Sequence, residues 1–143
     1  MSASKLDVVL RLTGEEEKQA ALTFHAVQND YLRAEKDLRQ ALSYRAEYAN
    51  MSEGMRPGAF ALIQLRAARS FLTQIDNLIE HQRAVLRSKN AVLETQSEQW
   101  QLLRAKKRSI QALIASRGRL HLLAEEKKEQ KRLDDLFART GSY

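Results

Sequence analysis

The stretch Ser52-Glu53-Gly54-Met55-Arg56-Pro57-Gly58 decides the fold. It contains the chain's single proline and two of its five glycines. Pro57 has no amide hydrogen and clashes with a preceding helical turn, and it pushes Arg56 toward extended angles. Gly54 and Gly58 tolerate backbone angles that other residues avoid. One helix is therefore expected over about residues 3–53, a corner at 54–58, and a second helix over about 59–138. Proline just ahead of a new helix's first turn is a favoured placement. Elsewhere the chain reads as helix throughout. Its 143 residues are 43% hydrophobic, 29% charged and 6% aromatic, a composition dominated by helix formers. That length suits one domain.

Working outward, both arms carry an apolar seam. Before the corner, Ala20, Phe24, Val27, Tyr31, Ala34, Leu38, Ala41 and Tyr48 follow alternating three- and four-residue steps. The same pattern reaches back through Glu17, Thr13, Leu10 and Leu6. After the corner, one heptad position holds Leu65, Leu72, Ile79, Leu86, Leu93, Trp100, Lys107 and Ile114. Its partner position holds Ala68, Ile75, Gln82, Lys89, Gln96, Leu103 and Ile110. A seam repeating every 3.5 residues is the condition for a left-handed coiled coil. Gln82, Lys89, Gln96 and Glu17 are polar seam sites, read as half-exposed positions that can also restrict register.

A corner this short returns the second helix antiparallel to the first. The expected fold is all-α, a long two-helix coiled-coil hairpin. Symmetry about the corner suggests that facing residue numbers add to about 112, with Tyr48 near Gln64–Leu65, Phe24 near Leu86–Lys89 and Leu6 near Ile110. At 1.5 Å per residue the arms would be about 75 Å and 120 Å long. The second helix should overhang by its last 25–30 residues, roughly, at that spacing. Gly118 costs about 1 kcal/mol relative to alanine inside a helix. A bend or frayed section is expected there.

Several function classes are disfavoured. With no cysteine there is no disulfide framework, thiolate nucleophile or cysteine zinc site. The longest uncharged apolar run, Ala59–Ile63, is far short of a membrane span. Residues 1–12 lack the apolar core of a signal peptide. His25, His81 and His121 are scattered, with no i, i+4 ligand pair, and there is no glycine-rich phosphate loop. Carboxylates facing solvent on an extended hairpin have no cleft to shift their pKa. No enzyme, no cofactor and no metal is expected.

Two features suggest partners. Phe71, Leu78, Val85 and Val92 recur every seven residues, one position ahead of the seam, and widen its apolar stripe. Phe71, Ile75 and Leu78 have the i, i+4, i+7 spacing of a helix docked on another protein. Alternatively the first helix crosses obliquely and covers the stripe, or the stripe serves weak self-association. The second feature is charge. Residues 1–56 hold 8 Lys/Arg against 9 Asp/Glu, and residues 57–103 hold 5 against 4. Residues 104–143 hold 11 against 5 and so carry the whole net +6. Arg104, Lys106, Lys107, Arg108, Arg117 and Arg119 are candidate contacts for an acidic partner. A solvated helix face is the plainer reading, since Glu125, Glu126 and Glu129 interleave with the bases. Trp100 heads the basic run at a seam site and is expected to pack there.

The motifs Tyr44-Arg-Ala-Glu-Tyr48, Phe71-Leu-Thr-Gln-Ile75, Ile79-Glu-His-Gln-Arg83, Trp100 followed by Lys106-Lys107-Arg108, and the tail Leu123-Ala-Glu-Glu-Lys127 to Phe137-Ala-Arg139 resemble, in that order, the FliJ family of flagellar export proteins. The resemblance spans about Leu6 to Arg139. It implies a stalk-like coiled coil, similar to the central stalk subunit of rotary ATP synthases. Such a component of type III protein export binds the hexameric export ATPase, docks on the membrane export gate and meets export chaperones. It would sit in the cytoplasm, peripherally at the membrane beneath the flagellum. The family's gate-contact set maps onto Phe71, Ile75 and Leu78. The histidine that usually follows that set stands one position early, at His81, with Gln82 in its place. Two other readings are a nucleic-acid-binding helical arm and a substrate-binding secretion chaperone. Against the first, the basic tail carries five acids and no aromatic cluster for stacking.

Overall fold

The computed structural model describes residues 2–53 and 59–141, so the expected corner lies outside the described residues. Two helices account for them: α1 (Ala3–Glu53) and α2 (Ala59–Thr140). Ser2 starts α1 as its cap. Its hydroxyl accepts the Lys5 amide at 3.4 Å and its carbonyl accepts the Leu6 amide at 3.1 Å. At the other end the Gly141 amide donates to the Phe137 carbonyl at 2.7 Å, which closes the last turn of α2.

Contacts divide the chain into two units, one of Ala20–Trp100 and one of Met1–Gln19 with Gln101–Tyr143. In the first unit α1 and α2 run antiparallel. Phe24 packs on Trp100, Asp30 pairs with Lys89, Arg45 with Asp76, and Tyr48 meets Phe71, so one number falls as the other rises. The expected seam is the observed one. Ala34, Ala41, Ala68, Ile75 and Ile79 are buried, and Phe24, Val27, Tyr31, Leu38, Leu65, Leu72, Leu86, Leu93 and Trp100 are half-buried. Three of the five buried sites are alanines, whose small side chains let the helices approach closely. The tightest cluster is Ala41, Ile75 and Ile79 with Leu38 against it. Gln82, Lys89 and Gln96 are half-buried, as a two-helix seam with one side open to water requires.

Register departs from the expectation. Tyr48 lies against Phe71, not Gln64–Leu65, and Phe24 against Trp100, not Leu86–Lys89. Facing numbers add to about 120, so α2 is displaced by about one heptad from symmetry about the corner. A heptad seam looks the same after a slide of seven residues, so apolar spacing could not choose between the two. Leu62 and Ile63 are exposed as a result, because the end of α1 is opposite roughly position 67.

In the second unit Leu6 and Thr13 of α1 are buried, and Leu10 and Glu17 are half-buried. Ala3 and Leu6 line a groove with Ile114, Arg117, Gly118 and His121, a few residues beyond the expected partner Ile110. Past Ser116 every described residue of α2 is exposed, so the overhang is observed. The frayed section is not, since α2 passes through Gly118 as unbroken helix. A Cβ built at Gly118 has no atom within 4 Å. The intrinsic cost of glycine therefore remains, but alone it is too small to break the helix.

Two measurements check this packing. Gly118→Ala should stabilise the surrounding helix by up to about 1 kcal/mol, read as slower amide exchange on both sides of position 118. Ile79→Ala should cost about 2–4 kcal/mol in chemical denaturation, whereas Leu78→Ala, one residue away and half exposed, should cost under about 1 kcal/mol.

Candidate docking surface

The apolar stripe on α2 is only partly covered. Ile75 faces inward and is 7% exposed, while Phe71 and Leu78, one turn to either side, are 44% and 47% exposed. Val85 is half-buried and Val92 is exposed. Packing against α1 therefore buries the seam residue Ile75 and covers part of Val85 but leaves Phe71, Leu78 and Val92 exposed. Ile75 is a core residue that also forms the floor of an open groove of about 460 Å³.

The other wall of that groove comes from α1, which the α2 spacing argument did not reach. Tyr44, Tyr48 and Met51 line it together with Ala41 and Glu47. Tyr44 and Met51 are 67% and 68% exposed, and the ring of Tyr48 sits 4.5 Å from that of Phe71. The sequence signal was a shift in apolar phase. The next seam site after Ala41 falls at Arg45, which is charged; the apolar residue stands one position early, at Tyr44, before the seam resumes at Tyr48. Arg45 leaves the seam and pairs with Asp76 across the helices. The hydrogen bond from Arg45 to Asp76, then the carboxylate's charge, raises the guanidinium pKa further above its ordinary value. Groove and ion pair thus share a short stretch of both helices. His81 is exposed and Gln82 half-buried, so the two positions are not equivalent in orientation.

The basic segment is less uniform than its sequence suggests. Arg104, Lys106, Arg108, Arg117 and Arg119 are exposed, but Lys107 is half-buried at a seam site. Arg104 and Arg117 already have partners within the protein. Further along, Arg132 pairs with Glu129 at 2.7 Å and is held more firmly protonated by that hydrogen bond and charge. Trp100, at the head of this segment, is half-buried and packs at a tilt against the rings of Phe24 at 5.1 Å and His25 at 5.7 Å, as a seam residue would. Among the described residues no three His, Asp or Glu side chains are grouped so as to hold a metal ion, and no helix is long and apolar enough to cross a membrane.

The groove and the basic segment offer apolar and electrostatic contact. A family profile described as flagellar FliJ protein matches residues 1–142. Comparisons with curated proteins and with solved structures return no match. An antiparallel helical pair that keeps its heptad seam and leaves one apolar groove open, matched by that profile over nearly its whole length, places this chain in the FliJ family, among the components of flagellar protein export.

Proposed function

We propose that this protein is a non-enzymatic, stalk-like adaptor of the export apparatus, which docks on the membrane export gate through the groove between α1 and α2. The observation that carries this reading is the open apolar groove at Phe71, Ile75 and Leu78, which lies where family resemblance puts gate contact. Phe71 and Leu78 are the contact residues. Ile75 supports them from below, and Tyr44, Tyr48 and Met51 extend the same surface onto α1. A half-exposed Phe and Leu beside further exposed apolar residues suit the apolar face of a partner segment, since each adds area removed from water on binding.

The basic segment is assigned to the hexameric export ATPase. Lys106, Arg108 and Arg119, with Arg104 and Arg117 beside them, supply many modest, salt-sensitive contacts to an acidic partner surface. Lys107 takes part less directly because it stands half-buried at a seam site. With one region for the ATPase and another for the gate, the protein would help couple the two and escort chaperone–substrate delivery. This work takes place on the cytoplasmic side of the membrane, peripherally, at the flagellar base. Export chaperones are the third partner class, with no surface assigned to them.

Two experiments test the assignments. Phe71→Ala with Leu78→Ala should leave helicity intact by circular dichroism and weaken gate binding at least about tenfold, with loss of motility. Loss of helicity would make both residues structural instead. Lys106→Glu with Arg108→Glu should weaken ATPase binding and flatten its dependence on ionic strength. An unchanged affinity and salt slope would remove the basic segment from the ATPase contact.

A further inference from the structure

We infer that the hairpin's register is selected by charge, through one attractive cross-helix pair flanked on both sides by repulsive alternatives one heptad away. Apolar spacing alone cannot select it. Sliding α2 by seven residues returns every seam position to a seam position, so the heptad pattern is kept and what changes is which side chains meet. The choice falls on side chains beside the seam, where the structure places Arg45 of α1 against Asp76 of α2.

Positions seven residues either side of Asp76 are Arg69 and Arg83. A slide of one heptad in one direction brings Arg69 opposite Arg45, and in the other direction Arg83. In both slipped registers an arginine faces an arginine. The second cross-helix pair, Asp30 with Lys89 at 3.9 Å, follows a weaker version of the rule. Seven residues either side of Lys89 stand Gln82 and Gln96, so Asp30 loses its cation whichever way the helix moves. For Lys89 itself, one slide puts Thr23 opposite and the other puts Asp37 opposite. The second slide therefore has a compensating pair and is opposed mainly by Arg83. Arg83 is tied to Glu80 of its own helix at 2.9 Å, which weakens that opposition. Arg69 opposes the other slide, the one that leads to the register symmetric about the corner.

The groove depends on the same choice. In the observed register Tyr48 meets Phe71. In the register that Arg69 opposes, Gln64 would take the place of Phe71 beside Tyr48, and the two aromatic walls would part. Register would then govern whether the docking surface exists. That consequence rests on the docking reading, whereas the register selection stands without it.

A charge swap separates selection from simple attraction. Arg45→Glu with Asp76→Arg keeps an ion pair in the observed register, yet it lets the carboxylate introduced at position 45 pair equally with Arg69 or Arg83 after a slide. All four positions are exposed, so the swap leaves the seam intact. The chain has no cysteine, so introduced pairs are the only thiols present. Ala41→Cys with Ile79→Cys reports the observed register, because both residues lie in one cluster. Ala41→Cys with Leu72→Cys reports the slide opposed by Arg69. With native charges the first pair should cross-link within one molecule and the second should not. In the charge swap the 41–72 product should rise about two- to fivefold relative to 41–79, as expected when an exposed like-charge contact becomes an opposite-charge one. Adding Arg69→Glu and Arg83→Glu to the swap should return the ratio to its native value. Unchanged cross-linking in the swap, loss of its helicity, or failure of the fourfold variant to restore the ratio would overturn the inference.

Discussion

A seam that repeats every seven residues holds two helices together without saying where along each other they stop. That degeneracy is the constraint on which the rest of this structure depends. Hydrophobic burial at Ala34, Ala41, Ala68, Ile75 and Ile79 supplies cohesion, but it is almost periodic along the pair. Position along the axis has to come from groups that are not periodic. Arg45 with Asp76 and Asp30 with Lys89 are such groups, lying at or beside the seam. Exposed ion pairs contribute little to stability. They are nonetheless sufficient to choose among registers whose burial is nearly equal, because only differences between those registers matter.

The same argument explains why the open groove can exist. Two helices cannot enclose a core, so each seam residue keeps an open side, and a wider apolar stripe is left partly uncovered. Phe71 and Leu78 remain nearly half exposed although Ile75, between them, is buried. With Tyr44, Tyr48 and Met51 they form one apolar concavity across both helices. Exposed apolar area of this kind costs solubility and is kept where a partner covers it. The groove lies where Tyr48 meets Phe71, so it belongs to the register that the ion pairs select.

The far part of α2 follows different physics. Every described residue past Ser116 is exposed, so beyond the groove shared with Ala3 and Leu6 this stretch depends on local propensity and short-range pairs such as Arg132 with Glu129. Leu120, Leu122, Leu123, Leu133 and Phe137 are exposed among the charges. Most helical stability in proteins comes from packing an apolar face, which this stretch lacks. A partner that binds it would therefore add order as well as affinity.

Much of this was legible in the sequence. Pro57 with its neighbouring glycines, and the three-and-four spacing on either side, were enough to determine two long helices, their seam and the overhang, because helix breaking and amphipathic periodicity are local properties. The α2 half of the groove could be read from Phe71 and Leu78 for the same reason. Tertiary structure decided what depends on two distant segments at once. It chose one register among alternatives a heptad apart, left Phe71 and Leu78 exposed beside the buried seam residue Ile75, and brought Tyr44, Tyr48 and Met51 to the same surface. No single segment contains those facts, since periodic patterns repeat along each helix and only cross-helix contacts distinguish one repeat from the next.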